Sequence, residues 1–206
     1  MDEKFPDHIP VFPLSGVIYF PKTNLPLNIF EKRYLDLVND AIRKDKLIGM
    51  IQNKRKDEGL YKVGCLGKIS DFQKSDDGRI LINLSGITRF EILEEKENSK
   101  LYREFKVNYE KFSLDIEPVL EEINTKSIVE KAEIFFNRSG FLLNWREFKK
   151  LNETQKINTL SMIAPVTNEE KQKLLEAVSL KDKAKTLENI ITFYLHEADF
   201  KNQTIQ

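Results

Sequence analysis

The chain has 206 residues, 40% hydrophobic and 32% charged, with Lys plus Arg matching Asp plus Glu at 33 each. That length suits one large domain or two small ones with enough apolar material for a core. A net charge of zero counts against nucleic acid as a partner, because binding it relies on neutralising phosphates. No apolar stretch approaches the roughly 20 residues that span a bilayer. The lone cysteine, Cys65, allows no intramolecular disulfide and no cysteine-based metal site, and reads as a small buried side chain. The first residues, Met1 to Pro6, are acidic and carry no apolar core of a secretory signal, so the expected compartment is the cytoplasm.

In chain order, Ile9 to Leu14 and Leu25 to Ile29 are short apolar runs pinned by Pro10, Pro13 and Pro26. They read as two strands joined by a stiff loop. Tyr34, Leu35, Val38, Ala41 and Ile42 then keep the spacing of one helical face. Leu47 to Ile51 has the length of a buried strand, and Val63 to Phe72 alternates loosely around Gly64 and Gly67. Ser75-Asp76-Asp77-Gly78 is a hairpin signal, after which Ile80, Ile82 and Leu84 sit two apart. Ile87 to Leu93 and Leu101 to Phe112 read as two further strands, with Glu94 to Lys100 as a charged loop between them. Many short strands with one early helix suggest a small, partly closed β-barrel.

After Glu117-Pro118 the period changes to helical. Ile128, Ala132, Phe135 and Phe136 share a face, as do Ile157, Leu160 and Ile163. Thr167-Asn168-Glu169-Glu170 has the form of a capping box, and Ser179 with Asp182 starts a last helix through Leu187, Ile191 and Tyr194.

Four segments carry a family likeness. Phe12-Pro13-Leu14 lies in the first strand, and Leu25-Pro26-Leu27-Asn28-Ile29-Phe30-Glu31-Lys32-Arg33-Tyr34 runs unbroken from strand to helix. Gly86-Ile87-Thr88-Arg89-Phe90 follows the Asp77-Gly78 turn, and Lys171-Gln172-Lys173-Leu174-Leu175-Glu176 lies near the end. In this order and spacing the chain resembles the amino-terminal, substrate-binding domain of Lon (La-type) ATP-dependent proteases, in a stand-alone form without the ATPase and protease domains. The expected fold is therefore α+β. A PUA-like, partly closed β-barrel with one inserted helix covers residues 5–113, and a C-terminal helical bundle covers 114–206. The resemblance implies a non-enzymatic protein- or peptide-binding module, an adaptor in protein quality control. Its partners would be unfolded proteins or peptides, with a protease or chaperone beside them. The alternative is an RNA-binding or RNA-modification accessory, by analogy with PUA-like barrels elsewhere.

No catalytic, metal or cofactor pattern stands out. Gly64-Cys65-Leu66-Gly67-Lys68-Ile69 lacks the spacing of a phosphate loop, and Ile69 has no hydroxyl for magnesium. His8 and His196 form no ligand pattern. Glu31 and Arg33 read as a pair that fixes the strand-to-helix corner. The candidate protein-binding residues are Phe141, Leu142, Leu143 and Trp145, which crowd a loop between helical patterns, and Phe30 and Tyr34 at the Pro-rich corner. The loop is either an interaction surface or a segment folded back onto the core.

Overall fold

Residues 5–54, 59–116 and 123–203 are described in this computed structural model, with side chains described as far as residue 197. The chain divides into two compact units, residues 1–118 and 119–206. The Glu117-Pro118 change of pattern lies outside the described residues.

The first unit is built on one six-stranded sheet, in the order β2-β5-β4-β3-β1-β6. The strands are β1 (His8–Leu14), β2 (Asn24–Ile29), β3 (Leu47–Gln52), β4 (Val63–Lys74), β5 (Ile80–Lys96) and β6 (Arg103–Asn108), with helix α1 (Lys32–Arg43) between β2 and β3. β1 and β3 run parallel, and the other pairs are antiparallel. The long β5 holds β2 along its first part, from Ile80 to Ser85, and β6 along its last part, from Glu91 to Lys96. The ladder thus returns on itself through β5.

The prolines sit where a missing N–H does least harm. Pro10 lies in the half of β1 that faces β6, and Pro13 in the half that faces β3, so each stretch carries one ladder. Pro26 lies in β2, which pairs with β5 alone. The core gathers Ile9, Val11, Leu47, Ile51, Leu66, Phe90, Phe105 and Val107. The Phe90 ring fits because two glycines lie against it. A Cβ at Gly49 would come 3.0 Å from Phe90 Cζ, and one at Gly64 would come 2.6 Å from the same atom and 2.5 Å from the Met50 carbonyl oxygen.

Three strand readings change. The runs from Ile80 and from Ile87 are one strand of 17 residues. The run from Leu101 to Phe112 is a strand only over Arg103–Asn108, followed by a 3-10 turn over Glu110–Asp115. The Asn108 side chain causes that switch by accepting the Glu110 N–H at 2.7 Å, an Asx turn that competes with the ladder. In α1 the buried face is Tyr34, Leu37, Val38 and Ala41.

The second unit comprises α2 (Lys126–Arg138), α3 (Trp145–Phe148), α4 (Glu153–Ile163), α5 (Asn168–Glu176) and α6 (Leu180–Gln203). Thr167 caps α5 in a full capping box, and Ser179 accepts the Asp182 N–H at 3.0 Å at the start of α6. A second capping box, Asn152 with Gln155, starts α4. Glu188 of α6 accepts from Ser127 and Lys131 of α2, at 2.9 and 2.7 Å, while Arg138 donates to the Leu195 carbonyl, so the two helices run in the same direction. Lys183 is buried and donates to Asn158 Oδ1 at 2.7 Å, which ties α6 to α4.

Candidate functional site

In the second unit the candidate surface grows from the end of α2. The helix stops in a left-handed turn at Gly140, whose φ is 68°. The N–H groups of Ser139, Gly140 and Phe141 donate to the carbonyls of Phe135, Asn137 and Phe136, which satisfies the last turn of the helix. That reversal lays Phe141 edge-on against Phe136, with ring centroids 5.4 Å apart. Asn144 then caps α3 by accepting the Glu147 N–H. Trp145, the first residue of α3, meets Phe136 at 5.6 Å and Phe148 at 5.4 Å. On the other side Phe135 meets Tyr194 of α6 at 5.4 Å, and Tyr194 meets Phe193 at 5.7 Å.

The result is a connected aromatic string, linked through Phe135 and Phe136 at 6.1 Å, that is exposed at Phe141 and Phe193. Phe136 and Phe148 are buried. Leu142 is 94% exposed and Phe141 is 42% exposed, while Leu143 and Trp145 are half-buried. Phe193 is exposed at the other end. Phe193 and Phe148 were not among the sequence candidates. Phe193 lies off the phase of the apolar face that Ile191 and Tyr194 mark, and its adjacency to Tyr194 was the available signal.

Charge surrounds the loop. Lys149 pairs with Glu133 at 3.0 Å, and Lys150 pairs with Glu147 at 2.7 Å. Glu170 of α5 accepts the Tyr194 hydroxyl proton at 2.9 Å, and burial raises the pKa of that phenol.

In the first unit, Phe30 and Tyr34 separate in role. Phe30 is exposed at the turn between β2 and α1, whereas Tyr34 is buried. The Tyr34 ring lies 4.0 Å from that of Phe12, and its hydroxyl donates to the Pro13 carbonyl at 3.3 Å. The Arg33 guanidinium sits 4.6 Å from the Tyr34 ring centroid and donates to Glu31 at 2.8 and 3.1 Å. Burial raises the Tyr34 pKa. Tyr34 and the Glu31–Arg33 pair therefore brace the corner that presents Phe30.

A family model for the ATP-dependent protease La (LON) substrate-binding domain matches residues 8–192. The chain belongs to this Lon substrate-binding domain family. It is 26% identical over 210 residues to a Lon protease of Syntrophus aciditrophicus, an alignment covering 93% of this chain and 26% of that protein. A Lon protease of Anaeromyxobacter dehalogenans is 23% identical, with 89% and 23% covered. The chain thus spans about a quarter of the length of these curated relatives. Its fold is similar to a Lon N-terminal domain protein from Xanthomonas campestris, with a TM-score of 0.65 and 21% identity over 90% of this chain and 97% of that one. It is also similar to the N-terminal domain of a Mycobacterium avium complex Lon protease, with a TM-score of 0.62 and 16% identity over 90% and 98%.

The residues that carry the Lon likeness serve mainly to hold the fold. Gly86 is met by the loop after β1: its N–H donates to the Thr23 carbonyl, its own carbonyl accepts from Lys22, and a Cβ there would lie 2.3 Å from the Phe20 carbonyl oxygen. Arg89 is buried, with its Nε and Nη2 each donating to Asp115 at 2.8 Å and its backbone N–H doing so at 2.9 Å. Its guanidinium lies 4.3 Å from the Phe112 ring centroid. Gly64 to Ile69 lies inside β4, paired with β3 and β5. Among the described residues no helix is long and apolar enough to cross a membrane.

Proposed function

We propose that this chain is a non-enzymatic protein- or peptide-binding module that recognises non-native substrates through Phe141, Leu142, Leu143 and Trp145. Phe30, braced by Tyr34, is a second contact in the first unit. Membership of a substrate-binding domain family supports recognition of protein substrates. The observation that carries the assignment of the surface is Leu142. A leucine left 94% in water beside a part-exposed Phe141, on a loop pinned by backbone hydrogen bonds, contributes nothing visible to its own unit. Burying such side chains contributes about 25 cal/mol per Å2, so a few of them supply much of a micromolar interaction.

The module acts as an adaptor in protein quality control in the cytoplasm, bringing clients to a protease or chaperone. The ladder that returns through β5 supports the reading of residues 5–113 as a PUA-like, partly closed barrel. The five helices α2–α6 support the reading of 114–206 as a helical bundle.

The test is the affinity of the 206-residue chain for a reduced, carboxymethylated model protein, measured by fluorescence anisotropy. Leu142→Ser is expected to weaken binding by about fivefold with an unchanged melting transition. Equal binding by the variant and the parent would remove this surface from the function. Binding of RNA that falls steeply with salt, with no protein bound, would favour the RNA reading instead.

A further inference from the structure

The apolar tip is small, and an exposed arginine follows it in the chain. Leu142 and the edge of Phe141 offer a few side chains of contact, far short of the roughly 800 Å2 per partner of a stable interface between folded proteins. An extended segment that places one or two side chains on the tip suits it better than a folded face.

The charges that flank the tip in the chain are Arg138, Arg146, Lys149 and Lys150 against Glu133 and Glu147, and Glu197 of α6 lies two residues beyond the Leu195 carbonyl that Arg138 reaches. Glu133 is engaged by Lys149 and Glu147 by Lys150. Arg138 reaches the Leu195 carbonyl. Arg146 follows Trp145 in the chain, is exposed, and meets no carboxylate among the described residues. An arriving anion therefore finds a guanidinium without a counter-ion, and two lysines held by exposed pairs of the weak surface kind. Glu147, next to Arg146 in the chain, and Glu133 each already hold a lysine.

Resting on the protein-binding reading above, we propose that the occupant of this surface is an extended segment of a non-native protein in which an apolar side chain is flanked by Asp or Glu. The apolar side chain lies on Leu142 and Phe141, and the flanking carboxylate reaches Arg146, whose planar fork suits a carboxylate.

The experiment uses the 206-residue chain and three fluorescein-labelled peptides that share one Leu-Phe-Leu centre and differ in flanks of Glu, Gln or Lys. Affinity is expected to fall in the order Glu, Gln, Lys, by about fivefold from first to last, and the spread should narrow at about 0.5 M NaCl. Arg146→Glu, a change at an exposed position, should erase or invert that order. Leu142→Ser should weaken all three peptides by a similar factor.

Three outcomes overturn the acidic-flank preference: affinities within about twofold of each other, an order that survives Arg146→Glu, or capture of phosphatidylglycerol vesicles with no peptide bound. If the charge order is missing but Leu142→Ser still weakens every peptide, the preference alone fails and the protein-binding surface stands. If Leu142→Ser changes none of them, the surface itself fails. Circular dichroism of both variants checks that the fold is kept.

Discussion

Two side chains separate what holds this molecule together from what it offers to others. Asp115 accepts three hydrogen bonds from Arg89, two from the side chain and one from the backbone, and both side chains are almost fully buried. Removing the carboxylate takes the Asp115 counter-charge from a buried guanidinium, and breaking a buried pair in this way typically costs about 3–5 kcal/mol. Asp115→Ala is expected to lower the unfolding free energy of the chain by about 3 kcal/mol in a urea titration, and a loss below about 1 kcal/mol would contradict the clasp. Leu142 stands at the other extreme. Leu142→Ser is expected to change stability by less than about 0.5 kcal/mol, whereas Trp145→Ala, which removes ring contacts to Phe136 and Phe148, should cost about 2 kcal/mol. Thermal or urea melts of the two variants check the contrast. The sequence made Arg89 visible as part of a motif but not its partner, since the two lie 26 residues apart and only the 3-10 turn brings Asp115 back. The crowding of Phe141 to Trp145 was legible. Which of them face water was not, because that depends on the turn at Gly140 and on the place of Phe136 beneath it.

At the scale of elements, local chemistry was the readable part. The capping box at Thr167 and the cap at Ser179 follow from short spacings and are present as expected. The runs from Ile80 and from Ile87 were read as two strands, whereas β5 runs unbroken through Gly86. It is glycine because the loop from Phe20 to Thr23 crosses it closely, a tertiary reason that no local pattern carries. Two element-level predictions follow from named contacts. Lys131, then Ser127, hydrogen-bond the Glu188 carboxylate and hold its pKa below the ordinary 4.5. A depressed pKa means that the contribution is present above about pH 4.5 and is lost as pH falls through the lower folded value. Glu188→Gln is therefore expected to destabilise the chain by about 0.5 kcal/mol at pH 7, since both partners are about one-third exposed, and by nothing measurable near pH 3. Melts at the two pH values check the sign, and a difference that grows in acid would contradict it. On the sheet, β2 pairs only with β5, and Pro26 interrupts the row of N–H groups on that strand. Pro26→Val should yield larger species than the parent chain at equal concentration by light scattering. Unchanged size would mean that the edge is protected by other means.

Across the whole molecule, each unit has its own core, and among the described residues the most exposed large apolar side chain is Phe30 on the first and Leu142, in the Phe141–Trp145 loop, on the second. The membership of residues 8–192 in the Lon substrate-binding domain family gives those features a shared context. The helices from Lys126 onward were readable because strand and helix repeats differ. A sheet curling toward a barrel was expected from the many short strands, but the pairing of one long β5 with both β2 and β6 was not, since those pairings are remote in sequence. The chain carries its own reporter for the central claim: Trp145 is the single tryptophan, and it lies half-buried at the base of the proposed surface. The direct measurement is its emission during titration with a permanently unfolded, tryptophan-free polypeptide whose own label reports binding by anisotropy. A saturable blue shift at Trp145, with the same midpoint as the anisotropy change, is the predicted result. Full binding by anisotropy with no change at Trp145 would place the client elsewhere and contradict the account.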